Sequence, residues 1–161
     1  MPLVRKSPVS LLEYPTQRAK DILVPVDGHP PAFDALALAC TISRRNKGMV
    51  YAVYIIEVAR TMALDAELDA DASSAEAILQ QAEQIAGEAD CKIEGEILQA
   101  RDAGHAIVDE SIERGVSAIV LGVDYKMPLG EFELSETARY VIDHAPCQVI
   151  VVREAARGVG E

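Results

Sequence analysis

Two positions at the ends of predicted strands carry the residue types that a ligand site needs. Asp27 ends an apolar run over residues 22–27 and is followed by Gly28, and Gly122 closes a second apolar run over residues 118–121. A carboxylate accepts hydrogen bonds from a ligand or caps a turn, and the sequence leaves both roles open for Asp27. Glycine lets a backbone approach an anion closely, because it has no Cβ and tolerates positive φ. We therefore expect a ligand-binding crevice between Asp27 and Gly122.

Catalytic and metal-binding motifs are missing from the sequence. It contains no Walker A loop, no Gly-x-Ser-x-Gly, no His-Glu-x-x-His and no complete Gly-x-Gly-x-x-Gly. His29 lies beside the crevice without a matched nucleophile, which favours a role in the turn over acid–base chemistry. Cys40, Cys91 and Cys147 lack metal or disulfide spacing and are expected to pack as small apolar side chains. The acidic run 67–71 lacks the glycine and closing glutamate of a calcium loop. We expect a module that binds rather than catalyses.

The composition restricts both the partners and the location. The 161 residues suit one domain, and the net charge of −11, without a basic cluster beyond pairs such as Arg44–Arg45, disfavours nucleic acid. No apolar run reaches the roughly 18 residues of a membrane span. Residues 1–20 also lack the apolar segment of a secretory signal. We expect a cytoplasmic protein that does not insert into membranes.

Segments of strand and helix character alternate along the chain, which is typical of a βαβ fold. In the first helix, Phe33, Leu36, Ala37 and Cys40 are predicted to share the buried face. Residues 57–74 show no clear period and are predicted to form a loop or a frayed helix. The predicted strands cover residues 22–27, 50–56, 92–97, 118–121 and 148–152, and the later helices cover about 75–89, 104–114 and 138–145.

Five parallel strands joined by helices require right-handed crossovers, which predicts a doubly wound α/β sheet with helices on both faces. In such a sheet the ligand lies outside the carboxyl ends of the strands, where the strand order reverses. We expect that point between the first and fourth strands. Pro25 opposes a central first strand, because proline cannot donate to a sheet ladder. The pattern alone therefore does not place the first strand.

Three segments give the chain a resemblance to the universal stress protein family. They are residues 21–28 (Asp-Ile-Leu-Val-Pro-Val-Asp-Gly), 118–122 (Ala-Ile-Val-Leu-Gly) and 144–153, which begins His-Ala-Pro-Cys. The resemblance implies a five-stranded parallel sheet of order 3-2-1-4-5. It outweighs the objection from Pro25, because a strand ending Val-Pro-Val-Asp-Gly is usual at the centre of the family's sheet. The expected divisions are an amino-terminal extension over 1–19, the domain over 20–153 and a tail over 154–161.

The resemblance also implies what the crevice binds. Family members that bind ATP carry Gly-x-x-Gly, nine residues, and then Gly followed by Ser or Thr. When the first glycine of this pattern is aligned with Gly122, the pattern requires glycine at positions 125 and 135 and a hydroxyl side chain at position 136. The chain has Tyr125, Ser135 and Glu136 at these positions. We expect the bulky Tyr125 ring at the phosphate position and competition from the loop's carboxylates. ATP binding is therefore predicted to be weak or absent.

The alternative is a switch that binds ATP or another adenine nucleotide, or a very slow ATPase. The resemblance implies that Asp27 contacts the adenine and that Ile55 lines it through its backbone. Gly130 lies outside the glycine positions of the motif but supplies backbone flexibility to the same loop. Ser135 or Thr137 offers a hydroxyl to the ligand. A role of Ser135 as the N-cap of the fourth helix is favoured, because serine before a periodic helix is a common start.

The last strand predicts a partner. Residues 149–152 form an apolar, β-branched edge guarded only by Arg153, and such an edge invites pairing with another chain. The resemblance implies a homodimer through this strand. The alternative is that the chain's own amino-terminal extension covers this edge. The sequence leaves open whether the extension crosses onto the partner subunit or is disordered. The sequence identifies no other protein partner, and nothing in it selects docking on a transporter.

Overall fold

The computed structural model describes residues 10–156 and confirms the predicted fold class. Its five strands are parallel and lie in one sheet of order 3-2-1-4-5. Predictions for residues 1–9 and 157–161 lie outside the described residues. Two short 3₁₀ turns come first, Leu11–Glu13 and Pro15–Arg18. The elements that follow are β1 Ile22–Pro25, α1 Pro30–Arg45, β2 Val50–Glu57, α2 Asp69–Glu88, β3 Ile93–Ala100, α3 Ala103–Arg114, β4 Ala118–Val123, α4 Glu136–His144 and β5 Gln148–Arg153.

The helices cover both faces of the sheet, as predicted. α1 and α2 pack on one face around buried residues such as Leu36 and Ala82. α3 and α4 pack on the other face around Ile107 and Val141. The continuous apolar runs of β1 and β4 follow from burial on both faces. β3 is half-exposed at one edge, as its alternating charges predict.

Two predictions about the helices are corrected. Ala37 is exposed and Phe33 is only half-buried, because α1 turns a stripe of small side chains toward the sheet. α2 begins at Asp69, earlier than predicted, and Asp69 and Asp71 in its first turn are favoured by the positive end of the helix dipole. The residues of the buried stripe on α1 are Pro31, Ala32, Ala35, Leu36, Ala39, Cys40 and Ser43.

No helix within residues 10–156 is both long and apolar enough to cross a membrane.

Pro25 occupies the central strand without leaving a ladder donor unpaired. The N–H of Val26 donates to the carbonyl of Val53 at 2.9 Å, so Pro25, one residue earlier, directs its nitrogen toward β4. The pairing between β1 and β4 runs only from Ile22 to Leu23. The ladder between these two strands thus ends before the proline, and the crevice lies beyond that point, lined there by Pro25, Val26, Leu121 and Gly122.

The three thiols are free and behave as apolar groups. Cys40 is buried, and Cys91 and Cys147 are half-buried. Burial is the main reason that the pKa of each thiol is raised, to about 12 for Cys40. These thiols are protonated at neutral pH and pack as small hydrophobic side chains, as predicted.

Candidate ligand-binding crevice

A crevice of about 460 Å³ opens at the carboxyl ends of β1 and β4, where the strand order reverses. Its volume lies in the range of about 300–1,000 Å³ that is typical of small-molecule sites. The mouth carries the polar side chains of Asp27, His29, Asp124 and Lys126. An apolar interior below a polar mouth suits a ligand with a flat, weakly polar part and a polar end. The interior is lined by Val53, Ile55, Ile107, Leu121 and Ala138.

Most of the residues predicted to bind a ligand line this crevice. Those that line it are Asp27, Ile55, Gly122, Ser135 and Thr137. They come from the ends of three neighbouring strands and from the start of α4. Gly130 is not among the lining residues, and its φ of 80° serves a turn in the exposed loop before α4. The sheet topology thus brings together all the predicted positions but one.

Helix packing explains the glycine at position 122. A Cβ built on Gly122 would lie 2.1 Å from the carbonyl oxygen of Pro31 and 2.5 Å from the nitrogen of Ala32. β4 and the first turn of α1 therefore touch through their backbones, which only glycine permits. Gly122 has a role in the fold that does not depend on any ligand.

The N-terminus of α1 lies beside the crevice but offers few hydrogen-bond donors. Pro30 and Pro31 form its first two positions, and proline has no N–H. The N–H of Ala32 is already bonded to the carbonyl of His29 at 3.0 Å. The first turn of a helix is where many folds bind phosphate. Here its first three positions contribute no free N–H.

Asp27 caps the turn that follows β1. Its Oδ1 accepts the backbone N–H of His29 at 2.9 Å, which is the geometry of an Asx turn. Gly28 between them has a φ of 85°. A carboxylate has acceptor capacity beyond one bond, and Asp27 also lines the crevice. Capping is therefore observed, and contact with a ligand stays a prediction.

An ion pair spans the mouth of the crevice. His29 Nδ1 lies 2.9 Å from Asp124 Oδ2 and joins the end of β1 to the end of β4. The hydrogen bond that His29 donates to Asp124, followed by the charge of Asp27, raises the pKa of His29, and the same bond lowers the pKa of Asp124. No local sequence pattern pairs these two residues, which lie 95 positions apart. Their positions after adjacent strands at the switch point were the available indication that they meet.

Comparisons with known proteins decide the family. The model described as the universal stress protein family matches residues 18–153. The chain belongs to this family. A universal stress protein of Methanocaldococcus jannaschii is 29% identical to it over 141 residues, which cover 84% of this chain and 82% of that protein.

Solved universal stress proteins share the fold. A structure from Archaeoglobus fulgidus has a TM-score of 0.72 and 28% identity over 83% of this chain and 98% of its own. UspA from Lactobacillus plantarum has a TM-score of 0.65 and 26% identity over 84% of this chain and 99% of its own. An Archaeoglobus fulgidus universal stress protein in complex with dAMP has a TM-score of 0.68 and 24% identity over 84% of this chain and 98% of its own.

The loop after β4 of this universal stress protein departs from the family's ATP-binding pattern, but Tyr125 does not block the crevice. Its ring stacks on Phe132 with the ring centroids 5.9 Å apart, and the Arg153 guanidinium carbon lies 4.5 Å from the Tyr125 centroid. Tyr125 is not among the lining residues. The Tyr125 ring therefore does not project into the crevice as expected, because cation–π and stacking contacts hold it toward β5.

The same loop presents more negative than positive charge to the crevice. Asp124 and Glu133 line it, and Lys126 is the one lysine or arginine among the lining residues that the structure describes. A bond from the Glu133 N–H to the Lys126 carbonyl, 3.0 Å long, closes the loop on itself. Because carboxylates repel phosphate groups in a weakly screened site, this wall favours ligands with little negative charge.

Ser135 acts as the N-cap of α4, as favoured from the sequence. Its Oγ accepts the N–H of Ala138 at 3.2 Å. The cap satisfies one of the free N–H groups at the start of α4 that a phosphate would otherwise use. Glu136 lies in the first turn, where its charge already complements the helix dipole. The Ser135 side chain thus already uses one of the N–H groups at the N-terminus of α4.

Proposed function

We propose that this protein is a non-enzymatic, homodimeric universal stress module whose crevice holds an adenosine-like group and binds triphosphate weakly or not at all. The observation that carries the proposal is the contrast within one cavity. The end of β1 and the apolar interior suit a base and a ribose. The loop before α4 places the carboxylates of Asp124 and Glu133 on the side of the crevice proposed for the phosphate groups. The module is proposed to act in the cytoplasm, in a stress response, through a protein partner that the sequence does not identify.

The adenosine part of the proposal rests on Asp27 and Ile55. Both line the crevice, and the family resemblance implies that they contact adenine. Relatives of the same fold support a ligand of this class, because solved universal stress proteins include complexes with dAMP, cAMP and AMP. Each of these ligands carries a single phosphate group. Such ligands place less negative charge against Asp124 and Glu133 than a triphosphate does.

Weak triphosphate binding follows from three features of the phosphate side. The first turn of α1 contributes no free N–H at its first three positions, because of Pro30, Pro31 and the bonded Ala32. The N-terminus of α4 is capped by Ser135. The loop between β4 and α4 lacks the second and third motif glycines, so its backbone is not free to wrap around an anion. Lys126 and a protonated His29 are the nearby cations, and Asp124 already neutralises His29.

The homodimer is supported by the exposed edge of β5. Within residues 10–156 this strand pairs with β4 alone. Val151 on it is 39% exposed, and Arg153 is engaged by Tyr125 and Phe132 and so is drawn toward its own loop. Edges of this kind are stable when a second strand pairs with them. Pairing of two identical strands around a two-fold axis closes the assembly at two subunits.

A second candidate, a very slow ATPase, is favoured by the His29–Asp124 pair. A carboxylate that accepts the Nδ1 proton orients an imidazole so that Nε2 can take a proton from water. The pair lies at the mouth of the crevice, beside Asp27. If this candidate is correct, the protein will release phosphate from ATP, and His29→Ala will abolish release without abolishing nucleotide binding.

Mass spectrometry of small molecules carried through purification tests the proposal without assuming a ligand. We expect adenosine or an adenine monophosphate from the denatured wild-type protein and its loss from the Asp27→Ala variant. The matched control is Asp34→Ala, which removes an exposed carboxylate on α1 that does not line the crevice. ATP as the main retained species, or a ligand of another class, would contradict the proposal.

A further inference from the structure

The start of the chain forms a fixed arm with an apolar outer surface. We call residues 10–18 the amino-terminal arm. Its large apolar side chains face solvent, with Leu11 60%, Leu12 53% and Tyr14 55% exposed. Three exposed apolar side chains within four residues form a patch of the kind that marks an interaction surface.

Hydrogen bonds hold the arm against the body of the domain. Within the arm, Arg18 Nη1 donates to the carbonyls of Leu12 at 3.3 Å and Glu13 at 3.2 Å, and these bonds fix the arm's own conformation. Two further bonds join the arm to the end of α1. Asn46 Nδ2 donates to the carbonyl of Gln17 at 2.9 Å, and Arg45 Nη1 donates to Gln17 Oε1 at 2.8 Å. The apolar patch is therefore presented by an ordered backbone. A partner that covers it has little chain entropy to overcome in ordering the arm.

A groove connects the carboxyl end of the arm to the exposed strand β5. Thr16 and Gln17 of the arm close one end of a cavity of about 310 Å³. Its walls are Leu38, Thr41, Ile42 and Arg45 of α1 and Ile150 of β5. Leu38 itself is 38% exposed. Through this cavity the carboxyl end of the arm is connected, across α1, to Ile150 on β5, the strand where the proposed homodimer forms.

The charges of the chain favour a second copy as the occupant. Seven of the 15 Lys and Arg residues lie in residues 1–47, with only four of the 26 Asp and Glu residues, so the amino-terminal part is basic in an acidic protein. Arg18 and Arg45 lie at the groove and the arm, near the amino ends of the strands. At the opposite ends, Glu154 follows β5, and the loop that carries Glu131 and Glu133 is held to β5 through Phe132 and Arg153.

Two-fold symmetry brings these opposite charges together. When two copies of β5 pair around a two-fold axis they run antiparallel, so the amino end of one strand lies beside the carboxyl end of the other. The arm and Arg45 of one subunit then face the acidic carboxyl end of the partner's β5, and the reverse contact is identical. Electrostatic complementarity of this kind fixes register and suppresses other arrangements.

We infer that the amino-terminal arm is part of the subunit interface, with a second copy of this chain covering Leu11, Leu12 and Tyr14 and placing its acidic β5 end against Arg18 and Arg45. The inference rests on the proposed homodimer through β5 and extends it by a second contact. The arm adds buried apolar area to an edge pairing that is only six residues long.

Analytical ultracentrifugation of the full-length protein over a range of concentrations tests the inference. The test variant is the triple change Leu11→Ser, Leu12→Ser and Tyr14→Ser. The matched control is Met62→Ser, Leu64→Ser and Ile112→Ser, which removes three side chains exposed by 41%, 48% and 58% on the β2–α2 loop and on α3, away from β5. We expect the test variant to raise the dimer dissociation constant about tenfold or more and the control to leave it unchanged.

A single charge change gives an independent measurement should the triple variant fold poorly. Arg45→Glu is expected to weaken the dimer several-fold, whereas Arg44→Glu, on the neighbouring exposed residue that does not line the groove, is expected to have no effect. A wild-type protein that stays monomeric would overturn the proposed homodimer together with the arm contact. A wild-type dimer whose dissociation constant is unchanged by both the triple variant and Arg45→Glu would overturn the arm contact alone.

Discussion

The two walls of the crevice differ in how the chain builds them. The wall formed by β1, β2 and β4 consists of strand ends whose neighbours are buried, and Gly122 within it is fixed by backbone contact with α1. The wall formed by residues 124–137 is a loop and a helix start, with exposed side chains and its own hydrogen bonds. Packing therefore sets the first wall, whereas the second wall is free to vary its charge and so decides which ligand is held.

The largest expected effect comes from breaking the strand wall at Gly122. Gly122→Ala places a Cβ against the backbone of Pro31 and Ala32, which cannot move aside as a side chain would. We expect the free energy of unfolding to fall by about 2–4 kcal/mol, measured by urea denaturation.

Gly87→Ala is the matched control for that experiment. Nothing lies within 4 Å of a Cβ at Gly87, which sits in α2. Alanine is favoured over glycine in a helix by about 1 kcal/mol, so this variant should equal or exceed the wild type in stability. A Gly122→Ala protein as stable as Gly87→Ala would show that the strand wall is not set by packing.

The second effect concerns the ligand side of the strand wall. Asp27→Ala removes the carboxylate that is proposed to contact the base. The hydrogen-bonding group of the base is then left unpaired, which costs about 1–3 kcal/mol of binding free energy. We expect the affinity for AMP, measured by isothermal titration calorimetry, to fall by about tenfold or more. Asp34→Ala should bind AMP as the wild type does. Equal AMP affinity in wild type and Asp27→Ala would remove Asp27 from the site.

The third effect sharpens the account of the loop wall by rebuilding the family pattern. Tyr125→Gly, Ser135→Gly and Glu136→Ser together restore the two missing glycines and the hydroxyl. We expect the affinity for MgATP to rise by about tenfold while the affinity for adenosine is unchanged. The loss of the Ser135 cap costs only a few tenths of a kcal/mol when glycine replaces serine, so folding should survive. An unchanged ratio of the two affinities would contradict the role given to the loop.

Much of the strand wall could be predicted from the sequence, because buried strands leave a strong pattern of consecutive apolar residues. The runs ending at Asp27 and Gly122 gave the strand wall, and the family resemblance resolved the position of Pro25. The structure adds why Pro25 is tolerated, since pairing with β4 stops two residues before it. That detail depends on where the pairing of two strands distant in sequence ends, which no local pattern contains.

The loop wall was harder to predict, because its contacts join distant segments. Tyr125 was expected in the crevice, yet it is held by Phe132 and Arg153. His29 is expected to serve the turn, and its bond to Asp124 joins residues 95 positions apart. Side-chain direction in an exposed loop follows from such partners and not from hydrophobic period.

The smallest expected effect is the pH dependence of the His29–Asp124 pair. The pKa of His29 is raised above 6.5 by Asp124, so its contribution to stability is full below pH 6.5 and is lost as the pH rises through the folded-state pKa. The pKa of Asp124 is lowered, so the pair also loses its contribution when acid protonates that carboxylate. Because His29 is 57% exposed, we expect less than about 1 kcal/mol.

The corresponding measurement compares wild type with His29→Gln by urea denaturation at pH 5.5 and pH 9. The wild type should exceed the variant at the lower pH, and the two should converge at the higher pH. A difference that is constant between these pH values would mean that the ion pair does not contribute to stability.

The central claim is that the crevice accepts an adenosine-like group and rejects a triphosphate. Isothermal titration calorimetry of the wild-type protein with AMP and with MgATP, in the same buffer and at the same ionic strength, tests it most directly. We expect saturable binding of AMP that is at least about tenfold tighter than that of MgATP. Binding of MgATP as tight as that of AMP, or tighter, would contradict it.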